Sequence, residues 1–151
     1  FVHIVRDVHA QVDSTLRVGF WKAGGGYEKL WWHDDIPEMY SRYLTDAEAS
    51  GDPTILAAAQ WRSVVESIRK EAAEVLRPEN YSEIAYEKFI DTPSSTIVDV
   101  WKQLGLTVSP EQKTQLDTVK IEKNQNEKWR ENLSQNQIDQ IDFWVNRAIE
   151  V

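Results

Sequence analysis

A helix-rich α/β protein with few strands is what this sequence predicts, and three observations carry the expectation. The chain opens with a short apolar run, Phe1-Val2-His3-Ile4-Val5, closed by Arg6-Asp7. Such a β-branched run reads as a strand buried on both faces, as in a parallel sheet. Directly after it the apolar period changes, with Val8, Val12 and Leu16 recurring every fourth residue, which is a helical spacing. Finally, prolines stand where helices would begin, at Pro37, Pro53, Pro93 and Pro110, a position in which the missing N–H costs nothing.

The elements follow in order. Asp7 is a candidate N-cap for the first helix. Gly19 to Asp35 is aromatic and irregular, and Gly24-Gly25-Gly26 within it marks a flexible loop. Pro37 starts a helix to about Leu44, and Ser50-Gly51-Asp52-Pro53 breaks the chain. Asp52 as N-cap and Pro53 behind it then open a long helix to about Leu76. Its apolar residues, from Ile55 and Leu56 to Ala72 and Val75, drift around one face. Arg77-Pro78-Glu79-Asn80 is a turn, Tyr81 to Tyr86 a short strand, and Glu87 to Ile90 a short helix. Another helix runs from Pro93 through Leu104, ended by Gly105. Ser109-Pro110-Glu111-Gln112 caps a helix to about Val119. Val119 to Asn132 reads as polar and irregular. Ser134 caps a last helix with an apolar stripe of Ile138, Ile141, Trp144, Val145 and Ile149. No repeat or low-complexity tract interrupts the chain.

A chain of 151 residues, 41% hydrophobic, suits one domain, 1–151, with apolar material for a core. A net charge of -8 and a pI near 4.9 argue against nucleic acid as partner, because phosphate neutralisation needs a basic face; a local basic pocket stays compatible with them. The absence of cysteine excludes disulfides and thiolate metal sites. It also fits a reducing cytosol, so a cytoplasmic location is the expectation. No apolar run approaches the roughly 20 residues of a membrane span, and no secretory signal pattern opens the chain. Beginning inside a strand without Met, the chain reads as the C-terminal portion of a domain whose upstream part lies elsewhere. That reading implies exposed apolar surface on the Phe1–Val5 strand and marginal stability of this chain by itself.

Arg6 closes the first strand and Ser14 lies eight positions later, about two helical turns on and on roughly the side where the helix begins. Arginine offers a planar fork of donors suited to phosphate, and a helix start beside it adds N–H groups and a favourable dipole. By spacing alone, Arg6 also fits a surface charge and Ser14 a solvated helix residue; the strand–turn–helix context favours the pair. A second segment, YSEIAYEKF followed by IDTPSSTIVDVWKQLGL, ends a strand at Tyr86, where α/β sheets bind ligands. A third, KNQNEKWRENLSQNQIDQI, places Lys123 six residues before Trp129, which Lys128 and Arg130 flank; taken singly, Lys123 and Arg130 also fit a charged solvated loop.

In this order the three segments resemble the bacterial-type domain of sulfotransferases that use 3′-phosphoadenosine 5′-phosphosulfate (PAPS). The similarity runs, with gaps, over nearly the whole chain. It implies a P-loop-NTPase-like sulfotransferase fold around a parallel sheet. It implies PAPS as co-substrate and the 3′,5′-bisphosphate PAP as product, with no metal. Arg6 and Ser14 would grip the 3′-phosphate and Tyr86 would contact adenine. Lys123, Lys128 and Arg130 would belong to a basic loop closing over the 3′-phosphate. Within GDPTILAAAQWRSVVESIRKEA, similar to a long helix of bacterial members, Trp61 packs and Arg62 is a weaker candidate contact. Two departures stand out. Lys88 replaces a usual acid, and Glu122-Lys123-Asn124 stands where Arg-Lys-Gly is usual, with no glycine before Trp129.

The family's phosphate-type loop, which cradles the 5′-phosphosulfate, has no counterpart here, and Gly24-Gly25-Gly26 is followed by no Lys-Ser/Thr. The family's general base lies upstream of the Arg strand, and His9 does not occupy that position. The expectation is sulfuryl transfer to a hydroxyl or amine on a small molecule, carbohydrate or other acceptor. In that reaction this chain would anchor the nucleotide and would not turn over by itself. Phe20, Trp21, Tyr27, Trp31 and Trp32 line an acceptor pocket or pack as a loop, and His33-Asp34-Asp35 reads as a polar loop. Two other classes stay open. A nucleoside kinase of similar architecture would prefer ATP, and a non-catalytic helical interaction module would bind no nucleotide.

Overall fold

In the computed structural model, residues 1–19, 37–121 and 126–149 are described. They form a mostly helical protein with one small parallel sheet of two strands. The elements are β1 (Val2–Val5), α1 (Val8–Val18), α2 (Glu38–Ser50), α3 (Pro53–Val75), β2 (Ser82–Ala85), α4 (Tyr86–Asp91), α5 (Pro93–Gln103), α6 (Pro110–Asp117), α7 (Trp129–Asn132) and α8 (Gln135–Asn146). Two compact units divide them, one of Phe1–Asp7 with Ile68–Asn126 and one of Val8–Ser67 with Glu127–Val151.

The first unit is built on the sheet. β1 and β2 run parallel with Val2 opposite Ser82 and Val5 opposite Ala85. The pleat puts Val2, Ile4, Ser82 and Ile84 on one face. α5 packs against β2, and the Gln103 side chain donates to the Tyr81 carbonyl at 2.7 Å and accepts from the Ser82 hydroxyl at 3.0 Å. Ser82 and Ile84 are buried under this cover. Val2 and Ile4 are not, at 42% and 53% exposed. The expectation of a strand buried on both faces is therefore corrected. β1 keeps Val2 and Ile4 in contact with solvent.

The second unit is helical. Val12 of α1, Tyr40, Tyr43 and Leu44 of α2, Leu56 of α3 and Ile141 of α8 are its largest fully buried side chains. Val8 and Leu16, one turn either side of Val12, pack against the same cluster. α2 runs to Ser50, past the expected end near Leu44. It stops where Gly51 takes a left-handed conformation at φ 64° and donates its N–H to the Glu48 carbonyl, a conformation that glycine adopts without steric cost. α3 starts as expected, with the Asp52 carboxylate accepting from the Thr54 N–H at 2.8 Å.

Burial pushes the Tyr43 hydroxyl up to about 12, and burial with the Glu66 hydrogen bond does the same for Tyr40. Tyr43 donates to the Trp144 carbonyl at 2.8 Å. Arg62 donates to the carbonyls of Trp144 and Arg147 at 3.2 and 2.7 Å, satisfying acceptors that the end of α8 leaves without helical partners. Its guanidinium thus serves α8, a structural role for the residue that the sequence marked as a weaker nucleotide contact. α7 falls inside the stretch expected to be irregular, and α8 carries Ile141 and Trp144 into the core as its stripe predicts.

Candidate functional site

Parallel register assembles the site. Val5 pairs with Ala85, so the residues that follow the two strands, Arg6 and Tyr86, leave the sheet side by side. The Arg6 guanidinium lies over the Tyr86 ring, 5.2 Å from its centre, within reach of a cation–π attraction. One residue further on, the pairing continues as a hydrogen bond from the Asp7 N–H to Glu87 Oε1 at 3.0 Å. Asn126 completes the group. Its amide nitrogen donates to Glu87 Oε1 at 2.8 Å, and its amide oxygen accepts from Arg6 Nε at 2.8 Å. Asn126 is buried, at 6% exposed, and both its polar atoms are used, as a buried amide requires. A cation, an aromatic ring, an amide and a carboxylate thus meet at the carboxyl ends of two parallel strands, the edge where α/β sheets take ligands.

A second polar group lies toward the start of the strands. His3 pairs with Glu83 across the sheet, and its Nδ1 is 2.9 Å from the Tyr81 hydroxyl. Tyr81 donates to Glu83 at 3.1 Å, and Arg69 grips the same carboxylate with two bonds of 2.8 and 2.7 Å. Burial holds the His3 imidazole below its ordinary range, and the Arg69 hydrogen bonds hold Glu83 below the usual carboxylate range.

The remaining sequence-predicted residues belong to the second unit or lie outside the described residues. Ser14 sits half-buried on α1, next to the buried Asp13, which accepts from Asn132 at 3.0 Å and Arg17 at 3.2 Å. Lys128 is exposed at the start of α7. Arg130 is ion-paired to Glu127 and lies over the Trp129 ring, 4.3 Å from its centre, while Trp129 stacks on His9 at 4.6 Å. Lys123, the aromatics Phe20, Trp21, Tyr27, Trp31 and Trp32, and His33-Asp34-Asp35 lie outside the described residues. Among the described residues no cluster of three His, Asp or Glu side chains could hold a metal ion. No described helix is long and apolar enough to cross a membrane.

Of the expected site, the structure brings Arg6 and Tyr86 together within one unit. Sequence reasoning missed Glu87 and Asn126. Glu87 had a readable signal, since it follows Tyr86 as Asp7 follows Arg6. Asn126 had none, because it reaches Arg6 across 120 residues from a polar stretch without a period. Comparison with family models, with curated proteins and with solved structures finds no match in any of the three.

Proposed function

We propose that this chain contributes the nucleotide-anchoring part of a PAPS-dependent sulfotransferase acting on a hydroxyl or amine acceptor. The observation that carries the reading is the pairing of Arg6 with Tyr86 at the carboxyl ends of β1 and β2. These are the two residues that the resemblance assigns to the 3′-phosphate and the adenine, and a cation beside an aromatic ring suits a phosphorylated purine nucleoside. The roles of Ser14, Lys123, Lys128 and Arg130 rest on the resemblance alone.

In the complete reaction the acceptor oxygen or nitrogen attacks sulfur in line. The bond from sulfur to the 5′-phosphate oxygen breaks, PAP leaves, and a base takes the acceptor proton. Arg6 and Tyr86 would contribute by positioning the nucleotide. The sequence supplies neither the phosphate-type loop nor the base, so the chain by itself is expected to bind without turning over.

Calorimetric titration with adenosine 3′,5′-bisphosphate tests the reading, with 5′-AMP and ATP as controls. Binding should require the 3′-phosphate, and Arg6→Ala should weaken it about 10- to 100-fold, the worth of a charge-assisted hydrogen bond. Preference for ATP would favour a kinase. A folded chain that binds none of the three would leave two readings, a pocket that needs the phosphate-loop part this reading requires or an interaction module. The same titration on a chain extended by that part would separate them.

A further inference from the structure

We infer that Glu87 and Asn126 are positioning residues for Arg6, and that this pair sets the affinity for a 3′-phosphorylated adenine nucleotide. The inference rests on the nucleotide reading above. Arginine has one of the largest reserves of rotamer freedom, so a guanidinium already fixed loses less on meeting an anion. Among the contacts that fix Arg6 are Tyr86 at its face and Asn126 at its Nε edge.

The orientation of Asn126 is dictated by chemistry. Arg6 Nε only donates and an ionised Glu87 only accepts, so the amide has one way round. Glu87 is tied in turn to backbone, through the Asp7 N–H. The hydrogen bonds thus run from the end of β1 through Glu87 and Asn126 back to the side chain that β1 projects. As a bare charge Glu87 would oppose an incoming phosphate. As a positioning group it would favour one. The two roles have opposite signs, and that makes them separable.

The first measurement is hydrogen exchange at Arg6 Nε–H, followed by NMR on the full chain without ligand. Slow exchange that becomes fast in Asn126→Ala and Glu87→Ala, but stays slow in Glu87→Gln, is expected. Glu87→Gln keeps the acceptor oxygen and removes the charge. The second is titration with adenosine 3′,5′-bisphosphate and 5′-AMP. Asn126→Ala and Glu87→Ala should each weaken the bisphosphate about tenfold and leave 5′-AMP unchanged, whereas Glu87→Gln should match or exceed wild type. In an Arg6→Ala background, Asn126→Ala should have no further effect.

If both Glu87 variants tighten binding, Glu87 acts as a charge and the inference fails. Equal loss of both nucleotides in Asn126→Ala would also overturn it, as the mark of a structural role. A slowly exchanging Arg6 Nε–H in a wild-type chain without preference for the 3′-phosphate would sink the nucleotide reading, and the affinity claim with it.

Discussion

His3 is buried at 8% exposed, with the Tyr81 hydroxyl at 2.9 Å and Glu83 at 3.4 Å. Burial keeps its folded value below the 6.5 of a free imidazole. As pH falls through that unfolded value, the unfolded chain takes up a proton that the native one resists, and stability falls. Glu83 acts in the same direction at lower pH. Its carboxylate, held by Arg69, stabilises the fold above the ordinary carboxylate value of 4.5, and that stabilisation is lost as pH falls through the depressed folded value. The urea midpoint should therefore drop between pH 7.5 and pH 5.5, and His3→Asn should remove part of that drop. An identical drop in both chains would exclude His3 as its source. None of this was legible beforehand, because the sequence shows a histidine in an apolar run and not the Tyr81 and Glu83 side chains that β2 brings beside it.

Helix boundaries are where the sequence was most readable. Ser109 and Ser134 both form capping boxes, with Gln112 and Gln137 as reciprocal partners. Both follow from a serine placed three residues before a glutamine. α8 carries Ile141 and Trp144 into the core, whereas α6 buries none of its residues. Ser134→Ala is thus expected to cost about 1 kcal/mol of global stability, and Ser109→Ala less, since fraying an exposed helix costs little. Equal losses in thermal melts of the two variants would contradict this. The end of α2 was less readable. The break at Ser50-Gly51 is plain, but the polar residues before it hid the helix that continues up to it. The faces of β1 were misjudged for a related reason. An apolar run shows what a strand could bury, and its neighbours decide what it does bury.

The sheet unit and the helical unit differ in how they hold apolar surface. Leu56 is fully buried in the helical unit, while Ile4 in the sheet is 53% exposed. Leu56→Ala should cost about 2–5 kcal/mol, through lost transfer energy and the cavity left behind. Ile4→Thr should stay within about 0.5 kcal/mol, as a surface change. Denaturant titration of the two variants reads the contrast, and a large loss at Ile4 would mean that something covers β1 in solution.

By itself the sequence determined the succession of helices and strands apart from α7, the caps that start α3, α6 and α8, and the candidacy of Arg6 and Tyr86 as residues ending strands. Those features act within a turn or two of the chain, where proline, glycine and serine impose their geometry locally. The tertiary structure decided that Arg6 lies on Tyr86, that Asn126, itself bonded to Glu87, holds its Nε edge, and that Arg62 serves the end of α8. These contacts span from 39 to 120 residues of sequence. They depend on strand register and helix packing, which are set by the joint burial of distant segments and leave no local period to read.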